Sequence, residues 1–201
     1  MIKLEQKEGG NMNNINTKFY ILLVILLGIF TYSLNLFNKI SQCSLVFVFL
    51  AITANIISEL YGRKKAWIAV TLCIIVSFDL LWDFDYYIHG RVINGIILVS
   101  FVSILLSTYC STSVFVLLKS TCSLNTKNFA GLMMGAVVDD IVMSGFFVNI
   151  FSTSRVLSIF LKEVLFKCAY SLTVYICIFL GSFLVQKVYC NNRTTRELKN
   201  F

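Results

Sequence analysis

Six apolar runs, separated by short polar segments, constrain the fold of this chain more than any other feature. The runs cover residues 19–37, 44–60, 67–81, 93–118, 129–151 and 159–187. A helix needs roughly 20 mostly apolar residues to cross the ~30 Å hydrocarbon core of a bilayer. The pattern therefore predicts an all-α fold, a polytopic membrane protein built as a six-transmembrane-helix bundle.

The composition excludes an ordinary soluble domain. Hydrophobic residues make up 58% of the 201 residues and charged residues 13%, with a mean hydropathy of +0.82, whereas soluble domains carry about 25% charged residues. The net charge of +7 does not indicate a nucleic-acid partner, because the cations lie in short segments between apolar runs. We predict one transmembrane domain, residues 19–188, between polar tails at residues 1–18 and 189–201.

The cations also predict the orientation of the bundle. Six spans bring both termini to one side, and that side carries most of the positive charge: Lys3, Lys7, Lys18, Arg63, Lys64, Lys65, Lys119, Lys127, Lys187, Arg193, Arg196 and Lys199. The opposite side has Lys39, Arg91 and Arg155, with Lys162 at the mouth of the sixth run. The positive-inside rule therefore predicts that both tails are cytoplasmic.

Five polar residues deep inside the apolar runs are candidates for a site. Asp139 and Asp140 are about eleven residues into the fifth run, Lys167 about nine into the sixth and Asn55 about eleven into the second, with Glu59 one turn farther on. Ionisable groups within a membrane are costly and by default indicate a functional site. We predict that Asn55, Glu59, Asp139, Asp140 and Lys167 outline one central polar cavity that binds a substrate.

Structural alternatives exist for each of these residues. Asp139 and Lys167 are also explained as an ion pair that holds two helices together. Glu163 precedes Lys167 by four residues, the favoured order for a local helix pair, and would neutralise it without Asp139. Glu59 is also explained by a side chain that extends to the cytoplasmic interface and meets Arg63 on the next turn.

Other features argue for close helix packing and against catalysis. Gly131 and Gly135 form a small-xxx-small pattern, which favours close approach of two helices. The chain has no phosphate-binding Gly-Lys-Ser/Thr loop, no hydrolase arrangement of Ser, His and acid, one histidine and seven cysteines without CxxC spacing. We therefore predict that the chain is not an enzyme and has no catalytic residues, cofactor or metal site.

Several motifs together resemble a known family. The stretch ANIISELYGRKKA, residues 54–66, resembles the signature of the bacterial queuosine precursor transporter family, also called the vitamin uptake transporter family, in which a helix ends in a pattern close to D-x-x-x-E-x-Y-G followed by basic residues. KNFAGLMMGAVVDDIV, residues 127–142, is similar to the family's fifth helix. Lys167 matches a lysine of its last span, and Asn35 with Lys39 matches an Asn-x-x-x-Lys pattern. Asn55 and Ser111 depart from the family, which has acids there.

The resemblance implies a transporter that imports a queuosine precursor, a 7-deazaguanine such as preQ0, preQ1 or queuine, across the bacterial inner membrane. The ring N–H and exocyclic amine of such a base form a donor pair that one carboxylate accepts with two hydrogen bonds. The implied partners are this deazapurine or a related vitamin-like solute and membrane lipid, with no nucleic acid.

Two alternatives remain open from the sequence. One is the substrate-binding S-component of an energy-coupling-factor vitamin importer, whose partner would be an energising ATPase module. The other is a membrane scaffold without transport activity, whose buried charges only specify packing.

Overall fold

The computed structural model describes residues 5–37, 39–82, 87–88, 91–92 and 95–198, and the side chains of residues 17–37, 39–82, 95–118 and 120–181. The acidic and aromatic segment between the third and fourth apolar runs, including Asp83, Asp85, Tyr86 and His89, lies outside the described residues.

Helices make up nearly all of the described chain. They are α1 (Glu5–Leu36), α2 (Ile40–Tyr61), α3 (Arg63–Leu80), α4 (Ile96–Leu117), α5 (Leu124–Phe147) and α6 (Thr153–Leu198). Two short strands, β1 (Tyr87–Ile88) and β2 (Arg91–Val92), pair antiparallel between α3 and α4, and a 3-10 turn (Leu118–Ser120) follows α4.

Five of these helices are long and apolar enough to cross a membrane. Their membrane-compatible segments are Thr17–Leu36, Ile40–Tyr61, Ile96–Leu117, Leu124–Phe147 and Thr153–Gly181. The prediction of a helical fold is confirmed, and the five helices are consistent with a multi-pass membrane protein. Residues 67–81, the third apolar run, do form a helix, but α3 begins with Arg63, Lys64 and Lys65 and carries Asp79 near its end, so it is not among the five.

Local sequence explains where the helices begin and end. Gly62 adopts φ of +91°, a conformation that L side chains rarely adopt, and it separates α2 from α3 at the predicted break. The Ser123 hydroxyl accepts a hydrogen bond from the Thr126 backbone N–H and caps α5. This cap moves the start of α5 to Leu124, five residues before the predicted start at residue 129. Helix α1 begins at Glu5, inside the segment that we expected to be a polar tail.

Helix α2 lies at the centre of the bundle and contacts all five other helices. Helix α3 runs antiparallel along α4, as two ring contacts show. Trp67 near the start of α3 packs on Tyr109 in the second half of α4, and Phe78 near the end of α3 packs on Phe101 near the start of α4, with ring centroids 4.4 and 5.8 Å apart. It therefore returns the chain from the Gly62 end of the bundle to the end where α4 begins.

Helices α4 and α5 approach each other closely through the predicted glycine face. A Cβ atom built on Gly131 would lie 2.8 Å from the backbone oxygen of Ser111, and one on Gly135 would lie 3.0 Å from the Ser111 Cβ. Close packing thus accounts for both glycines, as one of the sequence interpretations held. The contact also fixes the face of α5 that continues to Asp139.

Candidate functional site

A cavity of about 670 Å³ lies at one end of the bundle. It is formed where α1 meets α2, where α4 begins and where α5 meets α6, which is the end opposite to Gly62. The exposed residues Arg155 and Lys162 line the mouth of the cavity, and the buried residues Asp139 and Lys167 line its interior. The volume is in the range typical of small-molecule sites, about 300–1,000 Å³.

A buried charge cluster forms the inner wall of this cavity. The Lys167 Nζ donates to Asp139 Oδ2 at 2.6 Å and also to Asp140 Oδ1. Lys167 is 2% exposed, Asp139 7% and Asp140 0%. Glu163, one turn before Lys167, is partly buried and interacts with both Lys167 and Asp140. Because a buried ion is stable only when it is paired and hydrogen-bonded, these contacts hold α5 and α6 in one register.

Helix α4 orients Asp139 from the other side. The Ser103 hydroxyl donates to Asp139 Oδ1 at 2.5 Å and lies 3.1 Å from the Asp139 backbone oxygen. Each carboxylate oxygen of Asp139 thus accepts one hydrogen bond from the protein, and a carboxylate has about four acceptor positions. Each of its oxygens therefore has an acceptor position beyond the one used by Ser103 or Lys167.

Aromatic rings surround the charged groups. Lys167 Nζ lies 4.7 Å from the ring centroid of Phe47, a cation–π arrangement that further stabilises the buried ammonium. Phe147 and Phe151 also line the cavity, with ring centroids 5.8 Å apart, and the Arg155 guanidinium lies 4.9 Å from the Phe151 ring. The cavity therefore combines flat apolar walls with a few charged groups.

A second polar cluster lies toward the Gly62 end and does not line the cavity. Asn55 Nδ2 donates to Asn128 Oδ1 at 2.8 Å, and the Ser111 hydroxyl lies 3.4 Å from Asn55 Oδ1. Lys127, 4% exposed, donates to Glu59 Oε2 at 3.0 Å.

A packed apolar layer separates the two polar clusters. It consists of Val48 and Ala51 from α2 and Leu132 and Ala136 from α5, all of them buried. The described residues thus close the cavity on the side of the Gly62 end.

The structure brings together three of the five predicted site residues. Asp139, Asp140 and Lys167 meet, as their predicted depths indicated, although Asp140 lies behind the cavity wall and does not line it. Asn55 and Glu59 do not join them, so our expectation of one common cavity for all five residues is corrected.

Distances along the helices account for this separation. Asp139 lies 15 residues beyond Leu124, or about 22 Å along the helix. Asn55 lies only 6 residues before the end of α2 at Tyr61, or about 9 Å. The two residues therefore occupy different levels of the bundle, because the Gly62 end of α2 is level with the start of α5.

The structure also bears on two of the structural alternatives. Lys167 contacts both aspartates in addition to Glu163, so the local helix pair does not replace the contact with Asp139. Glu59 pairs with Lys127, whereas the Arg63 guanidinium donates to Ser113 at 2.6 Å and lies over the Tyr109 ring.

Ser103 and Phe47 were not among the predicted site residues, and neither were Lys127 and Asn128, the partners of Glu59 and Asn55. The serines were detectable, because Ser100, Ser103, Ser107 and Ser111 recur every three or four residues along one face of α4. Phe47 had no distinguishing signal among the 18 phenylalanines of the chain.

No protein-family model, curated protein or solved structure matches this chain with significant similarity.

Proposed function

We propose that this chain is a membrane transporter that imports a queuosine precursor, a 7-deazaguanine such as preQ0, preQ1 or queuine. The observation that supports it best is the cavity beside Asp139, which is apolar and aromatic on its walls, charged in its interior and closed toward the Gly62 end. A transporter needs such a site within the membrane, reached from one side at a time.

The chemistry of the cavity suits a flat base with adjacent donors. Asp139 has a free acceptor position on each carboxylate oxygen, beyond those taken by Ser103 and Lys167, and would accept the ring N–H and the exocyclic amine together. The phenylalanine rings would cover the two faces of the heterocycle. Of the five residues first proposed for binding, Asp139 and Lys167 would contact the solute, and Asp140 would hold Lys167 from behind.

The proposal includes six spans with both termini in the cytoplasm of a bacterium. Support comes from α3, which runs along α4 from the Gly62 end to the opposite end of the bundle. Its three initial cations would lie at the cytoplasmic interface, consistent with the positive-inside rule. The cavity would then face outward, where an importer collects its solute.

A complementation experiment tests this function. Cells that neither make nor import queuosine precursors receive the full-length chain and are supplied with preQ0, preQ1 or queuine, and queuosine is measured in their tRNA. We expect queuosine to reappear with one of these bases. Its absence with all three, while the chain is present in the membrane, would refute the proposed solute class.

Two substitutions locate the site in the same cells and in the purified protein. Asp139→Asn removes a charged acceptor and places a donor against the solute's donors, which should weaken binding by about 1.5–3 kcal/mol, or roughly 10- to 150-fold. Asp79→Asn is the matched control, because Asp79 is exposed at the end of α3. Equal binding by the two variants would remove Asp139 from the site. Co-purification with an ATPase subunit would instead favour the S-component alternative.

A further inference from the structure

The buried cluster at the inner wall of the cavity contains more negative than positive groups. Asp139 and Asp140 on α5 and Glu163 on α6 surround a single buried ammonium, that of Lys167. If all three carboxyls were ionised, these four residues would carry a net charge of −2, most of it beyond the reach of water. Such an excess is unstable in a membrane interior unless a cation or a proton offsets it.

The other helices packed around the cluster do not supply that charge. Helix α2 contributes the Cys43 thiol and α4 the Ser103 hydroxyl, while α1 contributes the Asn35 amide to the cavity wall. The remaining cations that line the cavity, Arg155 and Lys162 of α6, are exposed at its outer end.

One oxygen of the cluster lacks a hydrogen-bond donor. Asp140 is fully buried, its Oδ1 accepts from Lys167, and its Oδ2 has no hydrogen-bond partner among the described residues. The Glu163 carboxyl interacts with Asp140, but an ionised Glu163 has only acceptors to offer. Asp139 differs, because donors from Ser103 and Lys167 occupy both of its oxygens.

We propose that Asp140 and Glu163 bind one proton between them, and that this proton is taken up from the cavity and released on the other side of the membrane during transport. One carboxyl then donates its O–H to the other, so a single proton provides the missing donor and lowers the net charge of the cluster from −2 to −1. A metal cation is disfavoured at this point, because the Lys167 ammonium already lies between the two aspartates.

The proton site follows from the cluster alone, whereas its coupling to solute movement rests on the proposed transport function. The first experiment therefore uses no solute. Infrared spectra of the full-length protein in lipid nanodiscs are recorded from weakly acidic to alkaline buffer, above the range in which exposed carboxyl groups titrate, and the C=O stretching band of protonated carboxyl groups is followed. We expect a band that disappears as the buffer becomes alkaline.

Substitutions assign this band. Asp140→Asn and Glu163→Gln should each abolish it, because each removes one member of the shared pair, and Asp79→Asn should leave it unchanged. A band that survives either cluster substitution would overturn the shared site. If Asp140→Asn fails to fold, Glu163→Gln carries the test, because Glu163 is only partly buried.

The second experiment tests coupling in proteoliposomes that contain a pH-sensitive dye and receive preQ0, preQ1 or queuine. We expect the lumen to acidify as solute enters, and Glu163→Gln to abolish the acidification. Uptake that needs sodium and leaves the luminal pH unchanged would overturn the coupling. If no solute enters, the proposed function fails, and the infrared band still decides the proton site.

Discussion

The contact between α4 and α5 leads to a quantitative prediction for Gly131→Ala. The new Cβ would lie 2.8 Å from the Ser111 backbone oxygen, about 0.6 Å closer than the 3.4 Å at which ordinary contact begins. A backbone atom cannot rotate away as a side chain can, so the two helices must separate. Overpacking of this kind costs about 1–3 kcal/mol.

The higher helix propensity of alanine stabilises the variant and so opposes the clash. Substitution of a second glycine in the same helix measures this contribution alone. Alanine is favoured over glycine by about 1 kcal/mol inside a helix. Gly145, near the end of α5, has nothing within 4 Å of a built Cβ, so Gly145→Ala should gain up to about that amount. The difference between the two variants then isolates the clash, and we expect it to be about 1–3 kcal/mol.

Chemical unfolding of both purified variants in the same detergent provides the comparison. Gly131→Ala should also weaken solute binding, because separation of the helices lengthens the 2.5 Å hydrogen bond from Ser103 to Asp139. Stabilisation of Gly131→Ala equal to that of Gly145→Ala would show that the helices are not in the close contact described above.

Three further predictions concern the polar clusters. Lys167→Met leaves two buried aspartates without their cation and should lower the unfolding free energy by about 3–5 kcal/mol in detergent; a loss within error of zero would contradict the cluster. Lys127→Met should lower the unfolding free energy by less, about 1–3 kcal/mol, because the Glu59 side chain is 29% exposed. Equilibrium binding of preQ1 to this variant should not change, because neither Lys127 nor Glu59 lines the cavity. The Cys43 thiol lines the cavity, so preQ1 should slow its reaction with a maleimide that cannot cross membranes. Cys43→Ser is the control, because it measures labelling at the other cysteines; an unchanged rate would indicate that this solute does not occupy the cavity.

The helices were largely predictable from the sequence, because their signals are local. Runs of apolar residues indicated all six helices, and Gly62 marked the break between α2 and α3. The start of α5 was misplaced by five residues, because the cap at Ser123 precedes the apolar run and helical residues there are polar. Positional errors of this size do not change the fold.

Such positional errors do change the level that each residue is assigned in the bundle, and the composition of the site depends on those levels. The sequence predicted that Asp139 and Lys167 meet at similar depth, and they do. Asn55 was assigned to the same level and instead pairs with Asn128 near the start of α5. The hydrogen bond from Ser103 on α4 to Asp139 was not predictable, because the sequence does not indicate which face of α4 meets α5.

By itself, then, the sequence determined the helical, membrane-compatible character of this protein and the break at Gly62. These properties follow from hydrogen bonds within each segment and from the hydrophobicity of that segment. Only the tertiary structure decided that the intramembrane polar groups form two clusters separated by an apolar layer, with a cavity beside one of them. Helix faces that are apolar nearly all round give no signal of their neighbours, so lateral contacts such as that of Gly131 with Ser111 decide which polar groups meet.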